Sequence, residues 1–325
     1  MRELLVKDLP AMLFLTILVL LIISCSDQEE VPWSFYQEYG LSSVTFIDNC
    51  SWNPSWSPSG QQIAFASDMA GDFDLWINRA EAGSEPAIRI TSSQDDDLQP
   101  AWSPDGEQLA FIRRQSWTDN SPSSIFVCPA RTNGGQEARC LLAADSVFQY
   151  SDPAYDASGN LYCIADSLYG VGSILLRIRP DGQTDKFQTG LIRVWYPRPA
   201  PQGVIISAFA ELTFPPTPSI WIFDPDVGSV KPAVLDSFDN WLGAPSPDGR
   251  FLAYNTTARG KKEIAVRDLE NDQLLLYVPS LGMAIAPAWS PCGRHLCFAD
   301  QFGGDFQYNV FVYTFASRTG STRAF

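Results

Sequence analysis

Histidine is almost missing from this chain: His295 is the only one among 325 residues. A histidine-rich metal site is therefore excluded, and catalysis by imidazole has a single candidate with no visible orienting partner. Following the Gly293 turn, that histidine is expected to be solvated. Cysteine pairs with zinc spacing are lacking, because Cys292 and Cys297 have no second pair. Neither a Gly-x-Ser-x-Gly nucleophile elbow nor a Walker loop occurs. Basic residues are scarce: 22 Lys and Arg against 37 Asp and Glu give a formal charge of −15, with no basic cluster. That balance argues against nucleic-acid binding and would repel anionic surfaces. No stretch after residue 31 has a long helical period, which points away from helical architectures.

What the chain does contain is a repeat. Pro54-Ser55-Trp56-Ser57-Pro58-Ser59-Gly60 returns as Pro100 to Gly106 and as Pro287 to Gly293, with looser copies at Pro153–Gly159, Pro197–Gly203 and Gly243–Gly249. The intervals are 46, 53, 44, 46 and 44 residues. Each turn is followed by a short apolar run such as Ile63-Ala64-Phe65-Ala66 or Leu109-Ala110-Phe111-Ile112. A second run follows, such as Leu75-Trp76-Ile77, Ile125-Phe126-Val127 or Val310-Phe311-Val312. Short β-branched and aromatic runs bounded by Gly, Pro and Asp are strands. The Ser-Pro-Asp-Gly element is a turn in which Pro presets φ and Gly supplies a positive φ.

Four strands per roughly 45 residues is the arithmetic of a β-propeller blade. The predicted fold class is all-β: a six-bladed β-propeller of four-stranded antiparallel blades over 43–325. Ser43-Val44-Thr45-Phe46-Ile47 stands one strand ahead of the first unit, so it is expected to close the ring as the outer strand of the last blade. The alternative closing segment is Ser321 to Phe325.

The pattern Pro-x-Trp-Ser-Pro-Asp-Gly, then Ile/Leu-Ala-Phe, then Ser-Asp-x-x-Gly before the next strand, resembles the WD40-like (PD40) repeat of TolB-type propellers. Residues 54–112 match it best, and the resemblance covers about 43–325. It implies the fold far more specifically than the function. TolB proper carries an α/β domain ahead of its propeller, for which residues 26–42 are expected to leave no room.

Residues 1–25 read as an export signal. Leu9–Ile23 is apolar but too short for a confident membrane span. It ends Ile22-Ile23-Ser24-Cys25, which resembles a bacterial lipoprotein processing box and implies lipidation of Cys25. Several acyl chains make a durable anchor. Residues 26–42 would form a tether that begins with the acidic run Ser26 to Glu30. The expected location is the bacterial cell envelope, lipid-anchored, at the outer membrane's periplasmic leaflet or the cell surface.

Six cysteines follow Cys25 in a disulfide-permissive compartment. Cys128 and Cys140, on neighbouring strands of the second blade, are the candidate pair for a cross-hairpin disulfide. Cys163 and Cys297 take small-residue core positions. Asp68, Asp72 and Asp74, and Asp95 to Asp97, suit hairpin turns better than a calcium loop, so no metal and no cofactor is expected.

In a four-stranded blade the loops between strands two and three share one face with the connections between blades. On that face the sequence places Trp117, Phe214, Tyr150, Trp195, Tyr196 and Trp241, the candidate binding residues. Trp117 and Phe214 sit in polar or Pro-rich loops and are expected to be exposed. For Trp195, Tyr196 and Trp241 core packing is an equal reading. The expected function is a non-catalytic, monomeric propeller that binds an envelope protein or peptide and no nucleic acid. The alternatives are an envelope glycan binder or a polysaccharide-degrading enzyme, which would need two carboxylates from a set such as Asp96, Asp152 and Asp239.

Overall fold

The computed structural model describes residues 40–45, 50–81, 86–118, 121–168, 172–209, 217–280, 282–301 and 307–315. The expected signal segment, Cys25, most of the tether, Phe214 and residues 321–325 lie outside them.

Within these residues six four-stranded antiparallel sheets form the ring. Blade one is β2 to β5: Ser51–Trp56, Gln62–Ser67, Asp74–Arg79 and Ile88–Arg89. Blade two is β6 to β9: Asp96–Trp102, Gln108–Arg114, Ser124–Pro129 and Arg139–Leu142. Blade three is β10 to β13: Phe148–Tyr155, Leu161–Ser167, Ser173–Ile178 and Thr184–Phe187. Blade four is β14 to β17: Arg193–Ala200, Gly203–Phe209, Ser219–Asp224 and Ser229–Val234. Blade five is β18 to β21: Asn240–Pro245, Phe251–Thr256, Glu263–Asp268 and Gln273–Tyr277. Blade six joins β22 (Met283–Trp289), β23 (His295–Gln301) and β24 (Tyr308–Thr314) to the first strand, β1 (Leu41–Ser43).

The ring closes as expected, with the boundary moved towards the N-terminus. Leu41 pairs with Tyr313 and Ser43 with Phe311, and Val44 N–H still donates to the Val310 carbonyl at 2.8 Å. The second and third strands of each blade lie in the sheet interior. Phe65, Phe111 and Phe298 hold the same place in blades one, two and six and are fully buried. Burial of such a side chain is worth roughly 1.5–3 kcal/mol. The flanking alanines (Ala64, Ala110) keep the blades close, so the core runs from blade to blade. Trp56, Phe65, Cys297 and Val310 form one cluster across the closing seam.

Hydrogen bonding explains why the turn repeats so faithfully. Ser103 Oγ donates to Asp105 Oδ1 (2.6 Å), while Gln108 N–H donates back to Ser103 Oγ (2.9 Å). Gly106 takes φ +76°, which a side chain resists. The repeated tryptophan is an inter-blade clamp. Trp102 Nε1 donates to the Ser55 carbonyl, Trp56 Nε1 to Ala288 and Trp289 Nε1 to Ala244, each at 3.1 Å. Each indole thus reaches the innermost strand of the preceding blade.

The cysteines settle into two classes. Cys163 and Cys297 are buried in the core, as their slots predict. The disulfide expected between Cys128 and Cys140 is not formed, and both thiols are free. The strand register sets Cys140 opposite Phe126 and Arg139 opposite Val127, so the two cysteines are diagonal rather than facing. Cys128 is buried while Cys140 is exposed.

Candidate binding site in the central channel

The six innermost strands line the channel, and each is broken by one bulge at the same level. Asn53, Gln99, Asp152, Tyr196, Leu242 and Ala286 all have φ between +51° and +57°. Each falls where the register with the second strand shifts. Five of them precede a proline, which disfavours helical geometry and pushes residues towards extended backbone. A non-glycine residue held in the left-handed region costs about 1–3 kcal/mol. Neighbouring side chains offset that strain. Tyr196 N–H donates to Asp152 Oδ2 (3.3 Å), Leu242 N–H to Ser207 Oγ (2.9 Å) and Ala286 N–H to Asn255 Oδ1 (3.2 Å). The bulge re-aims one side chain per blade, making a ring that is polar over blades one to four and apolar at Leu242 and Ala286.

Asp152 is the hub of the polar half. Gln99 Nε2 donates to its Oδ1 at 2.8 Å, and Asp152 N–H returns a bond to Gln99 Oε1 at 2.8 Å. Ser151 Oγ donates to Oδ2 at 3.0 Å. Burial pushes the carboxyl group above the usual range, opposed by the charge of Arg198. The guanidinium carbon of Arg198 lies 3.5 Å from the Tyr196 ring centroid, and its Nη1 donates to the Pro197 carbonyl at 2.8 Å.

Towards the Ser-Pro-Asp-Gly turns the channel opens into a funnel of about 310 Å³. Its walls are prolines such as Pro54, Pro100 and Pro287, and the indoles of Trp56, Trp102 and Trp289. Asp156 and Arg198 are the only charged residues in its lining. At the opposite mouth a second cavity of about 350 Å³ is bounded by Asp152, Asp166, Arg193, Trp195 and Phe209. The Trp195 and Phe209 rings are 5.1 Å apart, and Asp166 Oδ1 accepts from Ser173 Oγ at 2.6 Å.

The candidate residues separate on this framework. Trp195 and Tyr196, adjacent in sequence, serve opposite mouths, because the bulge turns Tyr196 into the funnel. Tyr196 is therefore not part of the expected face. Trp117 is 45% exposed, and its ring stands edge-on to Trp52 (5.5 Å) and Phe73 (5.9 Å). Asp96 Oδ2 holds its loop by accepting from Trp117 N–H at 2.7 Å. Tyr150 packs half-buried against the core beneath blades two and three, and Trp241 is half-buried in β18. His295 is half-buried rather than solvated, sharing a hydrogen bond with Thr314 Oγ1 (3.0 Å).

The carboxylates meet different fates. Asp74 is buried against Arg89, and burial raises its carboxyl to about 6 despite that contact. Asp97 is held by Arg113 at 2.7 Å, and Asp68 accepts from Cys50 N–H. Among the described residues no three His, Cys, Asp or Glu side chains converge on a metal position. Sequence reading missed Arg198, although its signal is in the repeat. The residue two positions after each bulge is Ser55, Ala101, Ala154, Ala244 or Ala288 elsewhere, and Arg only in blade four.

The ring can now be set beside solved structures. TolB from Acinetobacter baumannii is 18% identical and superimposes with a TM-score of 0.58, over 86% of this chain and 66% of its own. The fold is a six-bladed β-propeller like that of TolB. A protein assigned as TolB from Agrobacterium tumefaciens is 16% identical with a TM-score of 0.59, over 85% of this chain and 97% of its own. An oligogalacturonate lyase solved with manganese is 11% identical with a TM-score of 0.53, over 85% and 93%. The chain thus spans about two thirds of the Acinetobacter TolB. No family model matches the sequence, and no curated protein matches it.

Proposed function

We propose that this protein is a lipid-anchored, non-catalytic propeller of the bacterial cell envelope that binds a protein or peptide partner at the funnel mouth of its channel. The observation that carries this reading is the funnel itself: rigid proline and indole walls around a floor with one guanidinium. Walls of that kind lose little conformational entropy on binding, and aromatic and arginine side chains dominate binding energy. Likeness to the TolB propellers and the lipoprotein-type box at Cys25 support an envelope location. Among the described residues no helix is long and apolar enough to cross a membrane.

Crosslinking capture from intact cells tests the reading. Ala157 is exposed on the funnel rim, so Ala157→Trp narrows the mouth without entering the core. Capture should be lost in Ala157→Trp and kept in Trp117→Ala. The reverse pattern would move the site to the other face, and no enriched partner for the wild type would overturn the reading. Absence of fatty-acid labelling in the wild type would remove the anchor, and labelling that survives Cys25→Ala would move it away from Cys25.

The opposite mouth favours a second reading, glycan binding or processing. There the paired Trp195 and Phe209 rings are flanked by Asp152, Asp166 and Arg193. An oligosaccharide array, together with turnover assays on polygalacturonate, tests it. A signal abolished by Trp195→Ala would support it, and silence in both would end it.

A further inference from the structure

Three blades carry the tryptophan, Trp56, Trp102 and Trp289, and blades three, four and five have Tyr155, Pro199 and Pro245 in its place. The residue two positions after the bulge is small in five blades, and in three of them an indole from the next blade crosses over its carbonyl. Trp56 crosses Ala288, Trp102 crosses Ser55 and Trp289 crosses Ala244. In blade four this residue is Arg198, and the next blade has Pro245 where the covering tryptophan would stand. Among the described residues no indole crosses over Arg198, and its side chain lines the funnel. Its guanidinium carbon lies 3.5 Å from the centre of the Tyr196 ring, and Nη1 donates to the Pro197 carbonyl.

Arg198 forms no ion pair among the described residues. Asp152 is the acidic neighbour below it, but its oxygens already accept from Gln99, Ser151 and Tyr196 N–H. Asp156, the other charged residue of the funnel, is turned into its own loop. It accepts from Ser158 N–H, Asn160 N–H and the Asn160 side chain. A preorganised guanidinium at the floor of a funnel whose other charged lining residue, Asp156, is turned into its own loop is a receptor for one anionic group.

Resting on the peptide-binding reading above, we propose that Arg198 anchors a carboxylate and that the funnel receives the free C-terminus of its partner chain. A cavity of about 310 Å³ is at the low end of ligand pockets and admits one chain end more readily than a loop that must enter and leave. The planar guanidinium matches the two oxygens of a terminal carboxylate, and the last side chains meet proline and indole surfaces.

The probe is a pool of random N-acetylated pentapeptides, made once with free C-termini and once as C-terminal amides. Retention on immobilised protein is read by mass spectrometry. The wild type should retain the free acids about tenfold or more over the amides. Arg198→Ala should retain both alike, and Arg198→Gln serves if the alanine variant melts early. Equal retention of acids and amides by the wild type, or an acid preference that survives Arg198 substitution, overturns the proposal. Amides selected through internal Asp or Glu in an Arg198-dependent way would overturn the terminal assignment. In the cell-capture experiment, a partner held equally by wild type and Arg198→Ala leaves the binding reading standing and removes this one.

Discussion

Arg198 and Tyr196 sit two residues apart on one innermost strand, and the guanidinium carbon lies over the phenol ring, 3.5 Å from its centre. The left-handed bulge at Tyr196 lies where the register with β15 shifts between Trp195 and Arg198, and Tyr196 lines the funnel together with Arg198. Tyr196 is thereby a positioning residue for Arg198. It is also 5% exposed, so Tyr196→Ala should lower unfolding stability by about 3–5 kcal/mol in urea titrations, as large aromatic truncations do. Tyr196→Phe, which keeps the ring face, should stay within about 1–1.5 kcal/mol of wild type.

The indole clamps carry separable packing and hydrogen-bonding contributions. Trp102→Phe removes the bond to the Ser55 carbonyl and should cost about 1–3 kcal/mol, because a buried acceptor is left unpaired. Trp102→Ala should cost about 3–5 kcal/mol. Equal losses in the two variants, measured by chemical denaturation, would mean that the ring packing kept by phenylalanine contributes little, and no loss in Trp102→Phe would mean that the hydrogen bond contributes little.

Two carboxylates give pH dependences of opposite sign. Burial raises Asp74 to about 6, so between about pH 4 and 6 the folded protein binds more protons at this site than the unfolded chain. Its contribution therefore weakens stability as pH rises through that window and is level above it. Asp268 is lowered to about 2, chiefly by hydrogen bonding from Arg250, so its contribution is full above about pH 4 and fades as pH falls to 2. Relative to the corresponding Asn variants, wild type should gain stability from pH 7 to pH 5 at position 74 and lose it from pH 5 to pH 2 at position 268. Melting curves across pH check both signs.

Thiol chemistry should single out Cys292. It occupies the turn position held by Asp105 and Asp248, and its Sγ lies 3.3 Å from Ser290 Oγ. Partial burial would raise this thiol, but the Ser290 hydroxyl and the Arg294 N–H and guanidinium outweigh it and lower the pKa. Burial pushes Cys128 and Cys163 up to about 12. Timed maleimide labelling of the native protein should modify Cys292 first, then exposed Cys140, and leave Cys128, Cys163 and Cys297 until unfolding. Early labelling at Cys163 would show that blade three opens in the native state.

The repeat made the blades legible because each one uses the same local chemistry. A Ser-Pro-Asp-Gly turn, an Ala-Phe core pair and a tryptophan can be read without knowing the neighbours. The order of strands and the closing of the ring followed from counting. The channel was harder to read. Asp152 and Gln99 are 53 residues apart, and their reciprocal bonds exist only after two blades dock. Their place in a connection between blades put Trp195 and Tyr196 on one loop face, and the left-handed bulge at Tyr196 is where they part. Likewise, Cys128 and Cys140 lie on paired strands, but a register irregularity at Ile125 and Phe126 sets them diagonally.

Closure by β1 also orders events in time. Leu41 leaves the ribosome before any blade exists, while its partner Tyr313 follows only after five blades have been made. The first strand must therefore stay unpaired through nearly all of synthesis, and the last step of folding joins segments from opposite ends of the described chain. Such long-range pairing is slow and leaves a sticky edge on blade six until it is complete. A growing chain of this design has reason to be kept extended, by a chaperone or by passage through a translocation pore, until the final hairpin arrives.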